Sequence, residues 1–282
     1  MRIDIGAGTR LFVDVDGLGL VPEKHKMVDR PTLVLLHGGP GLDHSMYKAS
    51  TLAGLTDVAQ VVYYDHRGQG RSDVGTPTDW TLDTWADDVV RVCDALGVVR
   101  PIVYGASFGG MVAQRYIARH PEHPAKVVLA CTSSRLDVNI VAAAFARVGG
   151  PKAASVARRF WQGDAEAFAD YIEICMPLYS IEPSEPEVMA RVAMKIDVLQ
   201  HFQNGEQHTM DLRAGLAQAR CPVLVLGGEL DPVTPIETNK EVAASLPPEH
   251  MRFEHLGEVS HSEVGGDAGT DIVRQFISGR LA

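Results

Sequence analysis

The stretch Pro101-Ile102-Val103-Tyr104-Gly105-Ala106-Ser107-Phe108-Gly109-Gly110-Met111 decides how the whole chain is read. Ile102-Val103-Tyr104 is part of a continuous apolar run of the kind that forms a strand buried on both faces. Met111 to Arg119 has helical spacing and is stopped by His120-Pro121, so a helix opens from about Gly109. Between the two stands Gly-x-Ser-x-Gly. A turn this tight needs neighbours without a Cβ. It presents the serine hydroxyl at the end of the strand, beside a helix N-terminus that stabilises negative charge. That context marks Ser107 as a nucleophile.

Working outward, similar apolar runs recur at Thr32–Leu36, Val61–Tyr64, Pro101–Tyr104, Val127–Ala130 and Val223–Leu226, and more weakly at Met251–His255. Helical stretches alternate with them at Thr81–Leu96, Met111–Arg119, Ile236–Leu246 and Asp271–Ile277. Strands alternating with helices predict an α/β fold with a mostly parallel central sheet covered by helices on both faces. Arg2–Ile5 and Leu11–Val15 read as a leading hairpin turning at Gly6-Ala7-Gly8, and residues 17–31 as a connection.

From about 133 to 215 the rhythm stops. This interval is Ala-rich and helical, without a convincing strand, and is interrupted at Gly149-Gly150-Pro151 and Pro183-Ser184-Glu185-Pro186. The expected organisation is a core formed by residues 1–132 and 216–282, with a helical cap inserted over 133–215.

With 26 basic and 36 acidic residues the net charge is −10, which repels nucleic-acid backbones and anionic membrane surfaces. No apolar stretch approaches the length of a membrane span, and Met1-Arg2-Ile3-Asp4 does not begin a signal peptide. Cys93, Cys131, Cys175 and Cys221 are widely spaced, which fits small buried side chains and not a metal site. The expectation is a cytoplasmic protein acting on a small molecule or short peptide without cofactor or metal.

A hydroxyl nucleophile needs a base, and the base an orienter. In this arrangement the chain order is Ser, then Asp or Glu, then His. Val223-Leu224-Val225-Leu226 leads into Gly227-Gly228-Glu229-Leu230-Asp231, where Asp231 and Glu229 compete for the acid at the carboxyl end of a strand. Of the 11 histidines, His261 follows the Met251–His255 strand through a short loop and precedes the last helix. His120 and His123 read as solvated surface residues, and His201 and His208 lie in the cap. The residues thus give Ser107 as nucleophile, His261 as base, and Asp231 or Glu229 as the acid that orients it. A backbone oxyanion hole is expected from the N–H of Phe108 with that of Gly39 or Gly38, in the run His37-Gly38-Gly39-Pro40-Gly41 after the first parallel strand. Asp65-His66-Arg67-Gly68-Gln69-Gly70-Arg71-Ser72 reads as scaffold, a tight loop pinned by an Arg–Asp pair.

Taken together, His37–Gly41, Asp65–Ser72 and Gly105–Gly110 resemble the proline iminopeptidase family of α/β-hydrolases, and Gly228–Pro235 and Ser260-His261-Ser262 extend the likeness. The resemblance selects Asp231 over Glu229. It implies an aminopeptidase acting on short peptides or amides, without metal or cofactor, whose cap carboxylates grip the substrate's free amine. From Phe160 to Ala190 there are seven acidic residues (Asp164, Glu166, Asp170, Glu173, Glu182, Glu185, Glu187) and no Lys or Arg, which suits a cationic substrate, although for most of them a solvated helical face is the simpler reading. The chain departs from the family in carrying Phe108 where Trp is usual. Val198 stands where the family has a cap Glu, before Phe202-Gln203-Asn204-Gly205, which leaves Asp197 and Glu206 as candidate anchors. The same triad would serve a carboxylesterase or lactonase on neutral acyl substrates. A ligand-binding protein without catalysis is the remaining class.

Overall fold

The computed structural model describes residues 1–182 and 186–281, so Pro183, Ser184 and Glu185 of the second expected interruption lie outside the described residues. The strands are β1 (Arg2–Asp4), β2 (Arg10–Asp16), β3 (Leu20–Glu23), β4 (Lys26–Asp29), β5 (Thr32–Leu36), β6 (Gln60–Tyr64), β7 (Ile102–Ala106), β8 (Lys126–Ala130), β9 (Val223–Gly227) and β10 (Met251–His255). Eight of them form one sheet in the order β1-β2-β6-β5-β7-β8-β9-β10. β1 and β2 pair antiparallel, with Ile3 opposite Leu11, and β2 runs antiparallel to β6. From β6 to β10 every pairing is parallel.

Burial follows from the two-residue period of a strand. Val34 and Leu36 enter one core with Val103, Val127 and Val225, against α1 (Leu82–Leu96) and α2 (Phe108–Arg119). Leu33 and Leu35 enter the opposite core with Tyr104, Val128 and Leu224. The second face is closed by residues 51–57 and the last helix. All four cysteines are free and buried.

Two differences from the expected elements have local causes. Residues 17–31 are not a plain connection but contain the β3–β4 hairpin, with Pro22 opposite Met27. It carries no buried face, and its turn uses Lys24 at φ 54° in place of Gly or Asn, so both sequence signals for a hairpin are missing. The last helix starts at Asp267, four residues before the expected Asp271, because Gly269 is tolerated there against the Val264 carbonyl.

Between β8 and β9 the described residues add no strand to the sheet. A long helix, α3 (Val138–Trp161), is opened by Asp137, whose side chain accepts the N–H groups of Asn139 and Ile140. The expected break at Gly149-Gly150-Pro151 is a kink within it, at Gly150 with φ 75° and ψ −173°. A shorter helix, α4 (Ile196–Gln203), follows. Two longer helices follow β9 and β10, α5 (Ile236–Ala244) and α6 (Asp267–Ile277). Phe145, Phe160, Tyr171 and Cys175 give this segment an apolar cluster of its own, which also takes in Val233. Among the described residues no helix is long and apolar enough to cross a membrane.

The Asp65–Ser72 loop is pinned more widely than expected. Arg67 reaches α1, with Nε 2.9 Å from Asp88 Oδ2 and Nη2 2.7 Å from Asp88 Oδ1. Arg71 pairs with Asp43 and lies 3.9 Å from Asp65, and the buried Asp65 also binds His44 Nδ1 at 2.6 Å. Asp88 is fully buried, so Asp88→Ala would strand the Arg67 guanidinium. Chemical denaturation of that variant should show a loss of about 3 kcal/mol in unfolding free energy.

Candidate active site

Ser107 stands between the last residue of β7 and the first of α2, at φ 53° and ψ −118°. Positive φ is costly for a residue with a Cβ, so the surroundings must impose it. They do so by close approach. A Cβ on Gly109 would fall 2.1 Å from the Leu36 carbonyl oxygen, and one on Gly105 would fall 2.4 Å from the Gly109 carbonyl oxygen. The Ser107 N–H donates to Ala130 O at 3.0 Å, and its carbonyl accepts the Thr132 hydroxyl at 2.8 Å and the Gly110 N–H at 2.9 Å. The Phe108 ring is buried edge-on to Trp85, Phe202 and His66.

Asp231 follows β9 and is 1 % exposed. Its Oδ1 accepts the N–H groups of Val233 at 2.8 Å and Thr234 at 2.9 Å. Its Oδ2 accepts the Thr234 hydroxyl at 2.7 Å and faces His261 Nδ1 at 2.8 Å. Four donors thus satisfy one buried carboxylate and orient the imidazole. The rival carboxylate, Glu229, is exposed and pairs with His255 Nε2 at 3.0 Å. It is turned to a different histidine.

Two expected surface histidines are in fact half-buried and partnered: His120 Nε2 lies 2.8 Å from Asp87, and His123 Nδ1 bonds the Tyr116 hydroxyl. His201 and His208 lie in the helical segment between β8 and β9, and both are exposed.

The glycine run after β5 is tied down from several sides. His37 is buried, and its Nε2 accepts the His66 N–H at 3.1 Å, which leaves Nδ1 as the protonated nitrogen that donates to Gly38 O at 2.7 Å. Burial lowers the pKa of His37 and pushes that of His66 well down, so both rings are neutral. The Gly41 N–H donates to Gln69 Oε1 at 2.7 Å, which links this run to the Asp65–Ser72 loop. The Gly38 N–H donates to the Tyr47 hydroxyl at 2.9 Å. Of the two candidate glycines, Gly38 is therefore already committed, and Gly39 lines the cavity with Phe108 and Ser107.

That cavity holds about 160 Å3 and is roofed by the helical segment. Its walls include Leu136, Val141, Phe160, Tyr171, Tyr179 and Phe202. Thr234 and Tyr179 line it as well, and both touch His261: Thr234 Oγ1 lies 3.4 Å from Nδ1, and the Tyr179 ring stands edge-on at 5.5 Å. Burial raises the Tyr179 phenol above its ordinary pKa and drives the Cys131 thiol behind Ser107 well up, so both keep their protons.

Neither expected amine anchor reaches this cavity. Asp197 is exposed and borders a separate surface dip with Trp80 and His201. Glu206 accepts the Leu82 N–H at 2.8 Å, capping α1, with Arg115 at 3.7 Å. Asp164, Glu166, Asp170, Glu173, Glu182 and Glu187 lie outside the lining, and Glu185 outside the described residues. Among the described residues the lining holds a single carboxylate, Asp137, which caps α3 and faces Arg135 Nη1 at 3.5 Å. Among the described residues no cluster of His, Cys, Asp or Glu is arranged to hold a metal ion.

The sequence reading missed Thr234, Tyr47 and Tyr179. For Thr234 a signal existed, since an Asp followed three residues later by Thr is a local turn motif. The other two come together only through tertiary packing.

A family model described as alpha/beta hydrolase fold matches residues 31–263. A protein of Caulobacter sp. (strain K31) with the provisional name carbamate hydrolase RutD is 27% identical over 277 residues, 95% of this chain and 98% of that one. The crystal structure of a proline iminopeptidase from Mycobacterium smegmatis superposes with TM-score 0.78 at 22% identity, covering 100% of this chain and 98% of that one. An enol-lactonase from Burkholderia xenovorans LB400 superposes with TM-score 0.66 at 25% identity, covering 99% of each chain.

With Asp197 and Glu206 outside the cavity, Asp197→Asn should leave kcat and KM within about twofold of wild type on any substrate. Glu206→Ala should lower the unfolding free energy, read by chemical denaturation, by about 1 kcal/mol through the lost helix cap. A large rise in KM from either substitution would bring a cap carboxylate back into substrate binding.

Proposed function

The chain belongs to the α/β-hydrolase fold family, and we propose that it is a serine hydrolase cleaving small, uncharged carboxylic esters or lactones through an acyl-enzyme at Ser107. The observation that carries this reading is the cavity wall. It is apolar beside the serine, and the one carboxylate among its described residues is already taken by a helix N-terminus and an arginine. A free ammonium group entering it would be desolvated without an unpaired carboxylate to meet it, at a cost of several kcal/mol. A neutral acyl group loses nothing comparable and gains from apolar burial. The volume of about 160 Å3 resembles an apolar cavity that admits benzene, so the acyl part is small.

In the mechanism, Ser107 Oγ attacks the ester carbonyl while His261 takes its proton, oriented by Asp231. The N–H groups of Phe108 and Gly39 receive the oxyanion. His261 returns the proton to the departing alkoxide, and water attacks the acyl-enzyme by the same route in reverse. The names of the relatives (a carbamate hydrolase, a proline iminopeptidase, an enol-lactonase) share cleavage of an acyl–heteroatom bond. They support the reaction type more than any one substrate.

The aminopeptidase reading remains as a second one, supported by the run His37-Gly38-Gly39-Pro40-Gly41. The helical segment 133–215, which we take as the cap, is where the two readings part.

Short-chain aryl esters compared with prolyl and alanyl arylamides, free or N-acetylated, decide between them. Ester hydrolysis should dominate and fall by at least about a thousandfold in Ser107→Ala. Preferential cleavage of free-amine arylamides would overturn the ester assignment in favour of a peptidase.

A further inference from the structure

Three aromatic side chains of the helical segment form a hydrogen-bonded file that ends beside His261. Trp161 Nε1 lies 3.2 Å from the Tyr171 hydroxyl, and the Tyr171 hydroxyl lies 2.7 Å from that of Tyr179. All three line the cavity that holds Ser107. The direction of the file follows from its chemistry. An indole N–H only donates, so Tyr171 accepts from Trp161. Tyr171 is 2 % exposed, and among the described residues its own hydrogen has one acceptor within reach, the Tyr179 oxygen. Were Tyr179 to donate to Tyr171 instead, the Tyr171 hydrogen would be buried without a partner, which is the costly arrangement. The file therefore runs Trp161 to Tyr171 to Tyr179, and it leaves the Tyr179 proton unclaimed.

Tyr179 stands edge-on to the His261 imidazole, at 5.5 Å between ring centroids. The imidazole that returns a proton to the leaving group must have that atom within hydrogen-bond reach. Tyr179 is a phenol whose ring packs on that imidazole and which lines the same cavity as Ser107, so it is a candidate donor to the atom that His261 protonates. We propose that the Tyr179 hydroxyl donates a hydrogen bond to the leaving-group oxygen of the substrate, and that Trp161 and Tyr171 aim it. This inference rests on the acyl-transfer reading above and assigns a leaving atom that accepts hydrogen bonds well, namely an oxygen. During the step the Ser107 Oγ–acyl bond forms and the acyl–oxygen bond breaks. The serine proton travels through His261 to the departing oxygen, and the Tyr179 proton stays on Tyr179.

Paired substrates with the same acyl group, one an alkyl oxoester and one an alkyl thioester, test this, because thioether-type sulfur accepts hydrogen bonds weakly. In Tyr179→Phe, kcat/KM for the oxoester should fall about tenfold, and for the thioester about twofold or less. Trp161→Phe should shift the same ratio in the same direction by a smaller factor. Titration of active sites with a phosphonate corrects each rate for folded, competent enzyme. An equal fall on both substrates, or none on the oxoester, overturns the inference while leaving the ester hydrolase intact. Failure of the wild type on both esters overturns the acyl-transfer reading, and this inference with it.

Discussion

The absence of side chains at Gly105 and Gly109 lets α2 begin almost on top of the ends of β5 and β7, and the site depends on that approach. With the Leu36 carbonyl 2.1 Å from where a Cβ would stand on Gly109, no other residue type fits there without displacing the sheet. The chain has to turn within one residue, and Ser107 takes the positive φ that the turn requires. The turn leaves Ser107 and Phe108 lining the same cavity. Hydrogen bonds to Ala130, Thr132 and Gly110 hold the turn from both neighbouring elements.

The second half of the site is assembled on a separate constraint. Asp231 is buried, yet each of its oxygens has two donors, and three of those four come from Val233 and Thr234, immediately after it in the chain. The carboxylate is thus held by two backbone N–H groups and one hydroxyl of the adjoining segment, with His261 as its fourth partner. A parallel sheet brings the two halves together, because β7 and β9 both flank β8 and release their loops at the same edge. Gly39 arrives at that edge from β5, steered by Tyr47, Gln69 and the neutral His37.

Where the sequence was legible, the cause is periodicity joined to a demanding local geometry. The buried strands appeared as unbroken apolar runs, and Thr32–Leu36 and Met251–His255 match β5 and β10 residue for residue. The Gly-x-Ser-x-Gly turn could be read because few other sequences tolerate it. The β3–β4 hairpin was hidden because it buries nothing, and the first turn of α6 because it contains Gly269, which has low helix propensity. The helical segment was the least legible part. Asp197 and Glu206 have the right charge for an amine anchor, but which face of a short helix a carboxylate occupies depends on packing that no local pattern encodes. Glu206 turned to the N–H of Leu82 on a distant helix, and the cavity was lined instead by aromatic residues from several elements. The Trp161–Tyr171–Tyr179 file likewise exists only once the segment is folded.

The central claim is that Ser107 is the activated nucleophile and that Asp231 and His261 activate it. The most direct measurement is labelling of the native protein with an active-serine fluorophosphonate, followed by mapping of the modified peptide by mass spectrometry. The account predicts a single adduct on Ser107, absent in Ser107→Ala and formed far more slowly in His261→Ala and Asp231→Asn. An unlabelled native protein, or an adduct on another serine that persists in Ser107→Ala, would contradict it.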